Sequence, residues 1–250
     1  MKFIYYRMAR LAYRNLVNKL LFNVLKFVIP KNDLRFFFNW TKFQNETRSA
    51  SQLGQEFLPF FFGLNSGYFC EVGANDGLRF SNTLYLESIG WDGLLIEPDP
   101  RNMKSLEETR HVNILHFAAT NVDDYSLTLN LAPDTLFSGN LNSMNNATLP
   151  YNGFVLVKGF KLASMLESVK APSAIDLLTI DTEGNEFDVL LGMDFKKYQV
   201  RIVCVEHNYN LEKLSKIKSY LDPLGFAQIL PVASQFDAWF INIETWNNYD

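Results

Sequence analysis

Two cysteines in 250 residues cannot staple a fold, so a disulfide scaffold is excluded. No run of about 18 uncharged apolar residues occurs, which argues against a membrane-spanning helix. The most apolar stretch, Leu20 to Ile29, is interrupted by Asn23 and Lys26. It has the length of a signal h-region, but no small-residue cleavage site follows it. Net charge is only −4, which excludes the polycation expected of a nucleic-acid binder. A G-x-G-x-x-G fingerprint is missing, and this counts against a nicotinamide dinucleotide enzyme. No internal repeat is visible. At 48% apolar residues, the chain is too hydrophobic to be disordered. Its length suits one large domain, or one domain with an arm.

What charge there is lies unevenly. Residues 1–35 hold Lys2, Arg7, Arg10, Arg14, Lys19, Lys26, Lys31 and Arg35 against Asp33 alone, a net +7 that leaves −11 for the remainder. Ile4, Met8, Leu11, Leu16, Leu20, Val24 and Val28 recur at helical spacing, with Arg7, Arg10 and Arg14 on another face. Residues 1–50 therefore read as a basic amphipathic helical arm, with Pro30 ending the apolar stretch, and residues 51–250 as the main domain. Two readings of the arm stand side by side. It docks on the body or on a second subunit, or it lies on an anionic membrane, with Phe36 to Trp40 as aromatic anchors. Cys70 and Cys204 sit in apolar runs and read as buried free thiols, which suits the cytoplasmic side of a membrane.

From Gly67 the pattern alternates. Short apolar strands are expected at Tyr68–Val72, Leu94–Ile96, Val112–Phe117, Ile175–Ile180 and Arg201–Val205. Helices are expected at 81–88, 103–108, 186–191 and 211–221. Unbroken apolar strands separated by helices indicate a parallel sheet covered on both faces. Phe226–Leu230 and Ala238–Ile243 are joined too closely for a crossover, so they pair antiparallel. The expected fold is α/β, a three-layer Rossmann-like sandwich. Its sheet is mostly parallel, with an antiparallel C-terminal end. An insertion rich in Asn, Ser and Gly occupies about 120–160, with added edge strands expected at 126–131 and 154–157.

Glu71-Val72-Gly73-Ala74-Asn75-Asp76-Gly77 is the strongest local signal. Glycine allows close approach of backbone to a ligand at the carboxyl end of a strand. Glu71 just before the turn would repel a pyrophosphate but accept from a cationic amine. Glu97, ending the second strand before Pro98, stands where an acid accepts from ribose hydroxyls. Asp181 and Glu183 end the fourth strand, and Glu206 and His207 the fifth. Such groups could deprotonate a hydroxyl or hold a divalent ion. Simpler roles exist: Asp181 and Glu183 as helix caps, and His207 as a satisfied neutral histidine.

Four pieces in order resemble the FkbM-type S-adenosylmethionine-dependent methyltransferases. They are Glu71 to Gly77; Ile96-Glu97-Pro98; Ile180-Asp181-Thr182-Glu183-Gly184 with Glu186 and Val189 to Gly192; and Asp237-Ala238-Trp239-Phe240. Together they cover about residues 66–243. Asp76 departs from the family's usual apolar residue, and Thr179 from its common lysine. The resemblance implies a class I methyltransferase fold with a seven-stranded sheet. It also implies O-methylation of a sugar, glycan or related natural product, with S-adenosyl-L-methionine as cofactor. The expected cofactor-binding set is Glu71, Gly73, Ala74, Asn75, Asp76, Gly77, Glu97 and Pro98, completed by Ala118 just past the third strand. Asp181, His207, Glu183 and Glu206 form the expected catalytic set, with metal-independent chemistry favoured over a divalent ion. The insertion is expected to wall the acceptor pocket through Ser138, Asn140, Asn142 and Ser143. Homo-oligomerisation and peripheral membrane contact through residues 1–40 are further expectations. The competing reading is a non-catalytic scaffold on the same fold, with the arm as its working end.

Overall fold

The computed structural model describes residues 29–47, 49–139 and 151–244. The elements of the main sheet are β1 (Tyr68–Val72), β2 (Asp92–Ile96), β3 (Asn113–Leu115), β7 (Ala174–Ile180), β8 (Gln199–Glu206), β9 (Phe226–Ile229) and β10 (Asp237–Asn242). Their order is β3-β2-β1-β7-β8-β10-β9. Every pairing is parallel except those of β10, which runs antiparallel to both β8 and β9. This is the mostly parallel seven-stranded sheet with an antiparallel end that the sequence predicts.

Alternate residues of each strand serve opposite faces. Cys70, Leu178, Val203 and Phe240 belong to one buried cluster, and their neighbours Phe69, Leu177, Ile202 and Trp239 to the other. The first cluster packs under α5 (Leu162–Ser168), α6 (Glu186–Leu191) and α7 (Leu211–Leu221). The second packs under α1 (Lys31–Glu46), α2 (Leu58–Phe61), α3 (Leu84–Ser88) and α4 (Met103–Thr109). Burial on both faces is why these strands read as unbroken apolar runs. Both cysteines are buried free thiols.

Helix α1 corrects the domain boundary at residue 50. Proline restricts helix interiors but suits helix starts, and here Pro30 opens a helix, its carbonyl accepting from the Leu34 N–H at 3.1 Å. Asp33 accepts from the Val232 and Ala233 amides at 2.9 and 2.8 Å, which ties α1 to the loop before β10. Phe36, Phe37 and Trp40 are buried against the body, and Phe36 meets Trp239 edge-on at 5.2 Å. These rings therefore serve the core and not a lipid boundary. The basic helix expected over residues 4–28 lies outside the described residues. Among the described residues no helix is long and apolar enough to cross a membrane.

The insertion also differs from expectation. β4 (Ala118–Thr120), β5 (Tyr125–Leu131) and β6 (Gly153–Lys161) form a separate three-stranded sheet in the order β4-β6-β5. The expected third strand stops early, at Leu115, because the chain turns there: His116 Nε2 meets the Pro98 carbonyl at 3.0 Å. The chain then enters β4, which pairs with β6.

Register positions the site. Val72 pairs with both Ile96 and Ile180, and Ile180 pairs with Val205. The residues that follow, Gly73, Glu97, Asp181 and Glu206, therefore stand side by side along one rim. Asp237 pairs with Glu206, so antiparallel β10 begins at that rim. The chain's connections reverse direction between β1 and β7, where an open α/β sheet forms its ligand crevice.

Candidate active site

The turn after β1 is pinned on two sides. The Gly73 and Ala74 amides both donate to the Ile96 carbonyl, at 2.9 and 3.1 Å. Gly73 has φ 89°, and a Cβ there would lie 1.7 Å from the Asp181 carbonyl oxygen. Only glycine fits this contact between the turns after β1 and β7. Asn75 follows at φ 47°. Its amide donates to Glu97 at 2.8 Å, and its Oδ1 accepts from Asn102 and Thr135. Its buried Nδ2 has no hydrogen-bond partner.

Two residues of the turn have other work than the one expected. Asp76 accepts from the Leu78 and Arg79 amides and from Arg79 Nε. Burial pushes its carboxyl up, and these bonds outweigh that and leave it below its ordinary value. It caps the chain's exit, while Gly77 closes the turn through its amide on the Ala74 carbonyl. Glu71 accepts from Ser81 Oγ, the Asn82 amide and Thr83 Oγ1, with Arg110 3.8 Å away. Its carboxylate thus anchors the segment before α3, and it lines a small space together with Gly73, Ala74 and Asn75.

Glu97 faces an open cleft of about 690 Å³, lined also by Val72, Gly73, Asn75, Pro98 and Ala118. Its carboxylate accepts from the Asp99 and Asn75 amides at 2.7 and 2.8 Å. Burial dominates and raises its pKa to about 7. The insertion roofs this cleft with Thr135, Leu136 and Ser138. Arg101 holds that roof down. It donates to the Ala132 carbonyl and Ser138 Oγ, both at 2.8 Å, and pairs with the buried Asp99. Arg79 adds a second tie to Asp134. Asn140, Asn142 and Ser143 lie outside the described residues.

A second recess of about 880 Å³ opens beside the first, bounded by Gln52, Phe80, Phe137, Asn208 and Phe236 together with Asp181, Glu183 and Glu206. Asp181 and Glu183 line both spaces. Glu186, not Asp181 or Glu183, steadies the start of α6: its Oε1 accepts from the Thr182 and Gly184 amides. Glu183 is thereby held at φ 53°. Asp237 joins the cluster from β10, its Oδ2 accepting from Gln55 Nε2 at 2.6 Å.

Five carboxyls thus share one low-dielectric corner, where like charges disfavour ionisation. Burial raises the Asp181 and Glu206 carboxyls, and their neighbours push them further. Burial likewise lifts Glu183 to about 7 and Asp237 to about 6. Lys213 is the cation acting on the cluster, and its Nζ pairs with Glu186.

His207 does not belong to this group. It is buried, its Nε2 lies 3.1 Å from the Asp237 carbonyl, and it lines neither space. A carbonyl can only accept, so Nε2 carries the proton. The expected base is a structural histidine that holds β8 against β10.

The raised carboxyls set a sign for stability. A group whose folded pKa exceeds its unfolded value holds its proton more tightly when native, so its stabilisation is lost as pH rises. Glu183 moves from 4.5 to about 7, so the window is pH 4.5 to about 7. Over it, Glu183 alone removes ~2–4 kcal/mol. With chelator present, the urea midpoint should fall between pH 5 and pH 8. A midpoint that rises over that range would contradict the buried cluster.

The model of the methyltransferase FkbM domain matches residues 71–227, more than half of the chain. No curated protein matches by sequence. Among solved structures, the METTL16 methyltransferase domain (crystal form 2) is similar, at 12% identity and TM-score 0.42 over 75% of this chain. The match spans 63% of the length of that structure. The matched segment of this chain runs from Glu71, at the end of β1, to Ala227 in β9, and so takes in Gly73, Glu97, Asp181 and Glu206: the chain belongs to the FkbM methyltransferase family.

Proposed function

We propose that the protein is an S-adenosylmethionine-dependent O-methyltransferase acting on a hydroxyl of a sugar, glycan or related polyol. The observation that carries this reading is the place of Asp181 and Glu183, which line both the Glu97 cleft and the recess beside it. A cofactor on one side and an acceptor on the other would meet at these carboxyls.

The cleft suits the cofactor on its own chemistry. Glu97 would accept from the ribose hydroxyls, and Val72, Ile96 and Ala118 offer apolar walls for the adenine. The unpartnered Asn75 Nδ2 has a donor to give. Gly73, lacking a side chain, lets the backbone come close. When bound, S-adenosylmethionine supplies a methyl carbon made electrophilic by its sulfonium.

The chain's own contribution is alignment and proton removal. Holding the two partners in line accounts for up to roughly 7–11 kcal/mol of barrier. A sugar hydroxyl becomes nucleophilic as its proton leaves. The Asp181–Glu183 pair would accept that proton, with Glu183 raised to about 7, near the pH at which a general base works best. The segment tied down by Arg101 covers part of the cleft.

The test is transfer of an isotopically labelled methyl group from S-adenosylmethionine to a panel of polyols and glycans, with the product analysed for O-methyl ether. Label appearing on hydroxyl oxygen supports the reading. Label appearing only on nitrogen or carbon of amine and aromatic control substrates overturns it.

A further inference from the structure

The second recess ends at three carboxylates. Asp181, Glu183 and Glu206 each present an oxygen, and these oxygens all lie within 4.8 Å of one another. Two of the residues are half-buried, and Glu206 is only 6% exposed. Proximity of acids alone does not make a site. The decisive observation is the Glu206 side chain. It is buried, brings an oxygen within 4.8 Å of those of Asp181 and Glu183, and its Oε2 has no hydrogen-bond partner. Among the described residues Lys213 is the cation acting on the cluster, and it is engaged by Glu186. A buried carboxylate set beside two others lacks a positive partner.

We infer that Asp181, Glu183 and Glu206 form a binding site for a divalent cation, which holds two adjacent hydroxyls of the acceptor. Three hard oxygen donors select a hard ion such as Mg²⁺, Mn²⁺ or Ca²⁺. Ligand oxygens across an octahedron lie about 4.2 Å apart around Mg²⁺ and about 4.8 Å apart around Ca²⁺. The three oxygens, all within 4.8 Å of one another, fall inside the reach of one such ion. Three protein ligands leave about three of six positions open. The open side faces the recess lined by Gln52, Phe80 and Phe236. Two neighbouring hydroxyls of a polyol match such an open edge, since each offers an oxygen at cis-ligand spacing.

The ion also settles the electrostatics. It offsets the repulsion among Asp181, Glu183, Glu206, Asp237 and Glu186. The cation site stands on geometry alone. Only the role given to the acceptor hydroxyls rests on the methyl-transfer reading.

The test uses the full chain and Mn²⁺ as probe, without S-adenosylmethionine. The free aquo-ion gives a sharp electron paramagnetic resonance signal that vanishes on binding. The expected result is a single saturable site from which Mg²⁺ displaces Mn²⁺. Glu206→Gln should weaken Mn²⁺ by at least ~10–100-fold, the loss typical of disturbing even an outer ligand. Glu167→Gln, on the exposed end of α5, should leave binding unchanged. Asp181→Asn serves as a second variant if Glu206→Gln fails to fold by circular dichroism. Failure of Mn²⁺ to bind, or equal binding in wild type and both cluster variants, overturns the site. So does loss of S-adenosylmethionine binding in Glu206→Gln without any Mn²⁺ binding, which would assign the cluster to the cofactor's ammonium. Because the metal is read without the cofactor, this failure is separate from failure of methyl transfer.

Discussion

Asp181→Asn should lower kcat by about 10²–10⁴-fold, the usual contribution of a positioned base, while the Kd for S-adenosylmethionine changes only a few-fold. The asymmetry follows from the backbone. The main chain of Asp181 braces the turn after β1, its amide donating to the Val72 carbonyl at 2.9 Å and its carbonyl packed on Gly73. The amide replacement keeps both contacts and removes only the carboxylate's capacity to take a proton. Stopped-flow or discontinuous assays at saturating cofactor measure the first effect and isothermal titration the second. Equal losses in kcat and in cofactor affinity would instead make Asp181 a cofactor ligand.

Removal of residues 1–50 should unfold the protein rather than release an independent domain. Helix α1 buries Leu34, Phe36, Phe37 and Trp40 in the cluster that contains Phe57, Phe69 and Trp239. At about 1.5–3 kcal/mol for each large side chain, these four contribute roughly 6–12 kcal/mol. That is comparable with the whole stability of a typical domain, about 5–15 kcal/mol. The truncated chain should therefore show no cooperative thermal transition. A truncated chain beginning at Ser51 that melts cooperatively near the full-length midpoint would overturn this assignment of α1.

What could be read in advance follows from periodicity. β1, β7 and β8 are covered on both faces, so they appear as apolar runs, and the residues at their carboxyl ends, Gly73, Asp181 and Glu206, form the rim. Helix α1 was not legible as core, because a basic, aromatic helix presents the same pattern to a membrane as to its own domain. Parity decided between Glu206 and His207. Neighbouring positions at a strand end point in opposite directions, and pairing with Asp237 turned the glutamate to the recess and the imidazole to the β10 backbone. Asp237 could not be placed in the acid cluster by spacing, because it comes from the start of an antiparallel strand. Glu71 and Asp76 carry the right chemistry for a ligand. Ser81, Thr83 and Arg79, too distant or too ordinary to stand out, occupy their carboxylates instead. The roof residues Thr135 and Leu136 were hidden because the fold of the insertion depends on ties from Arg79 and Arg101.

The central claim is that the Glu97 cleft holds S-adenosylmethionine. Isothermal titration of the full chain with S-adenosylmethionine, S-adenosylhomocysteine and NAD, alongside Glu97→Ala, tests it most directly. Glu97 offers charge-assisted hydrogen bonds of about 1.5–3 kcal/mol each, so its loss should weaken both adenosyl ligands by roughly 10–100-fold. The expected result is that the wild type binds both of them and not NAD, with the variant folded and weakened to that extent. No heat with either adenosyl ligand, or equal affinity in wild type and Glu97→Ala, would contradict the account.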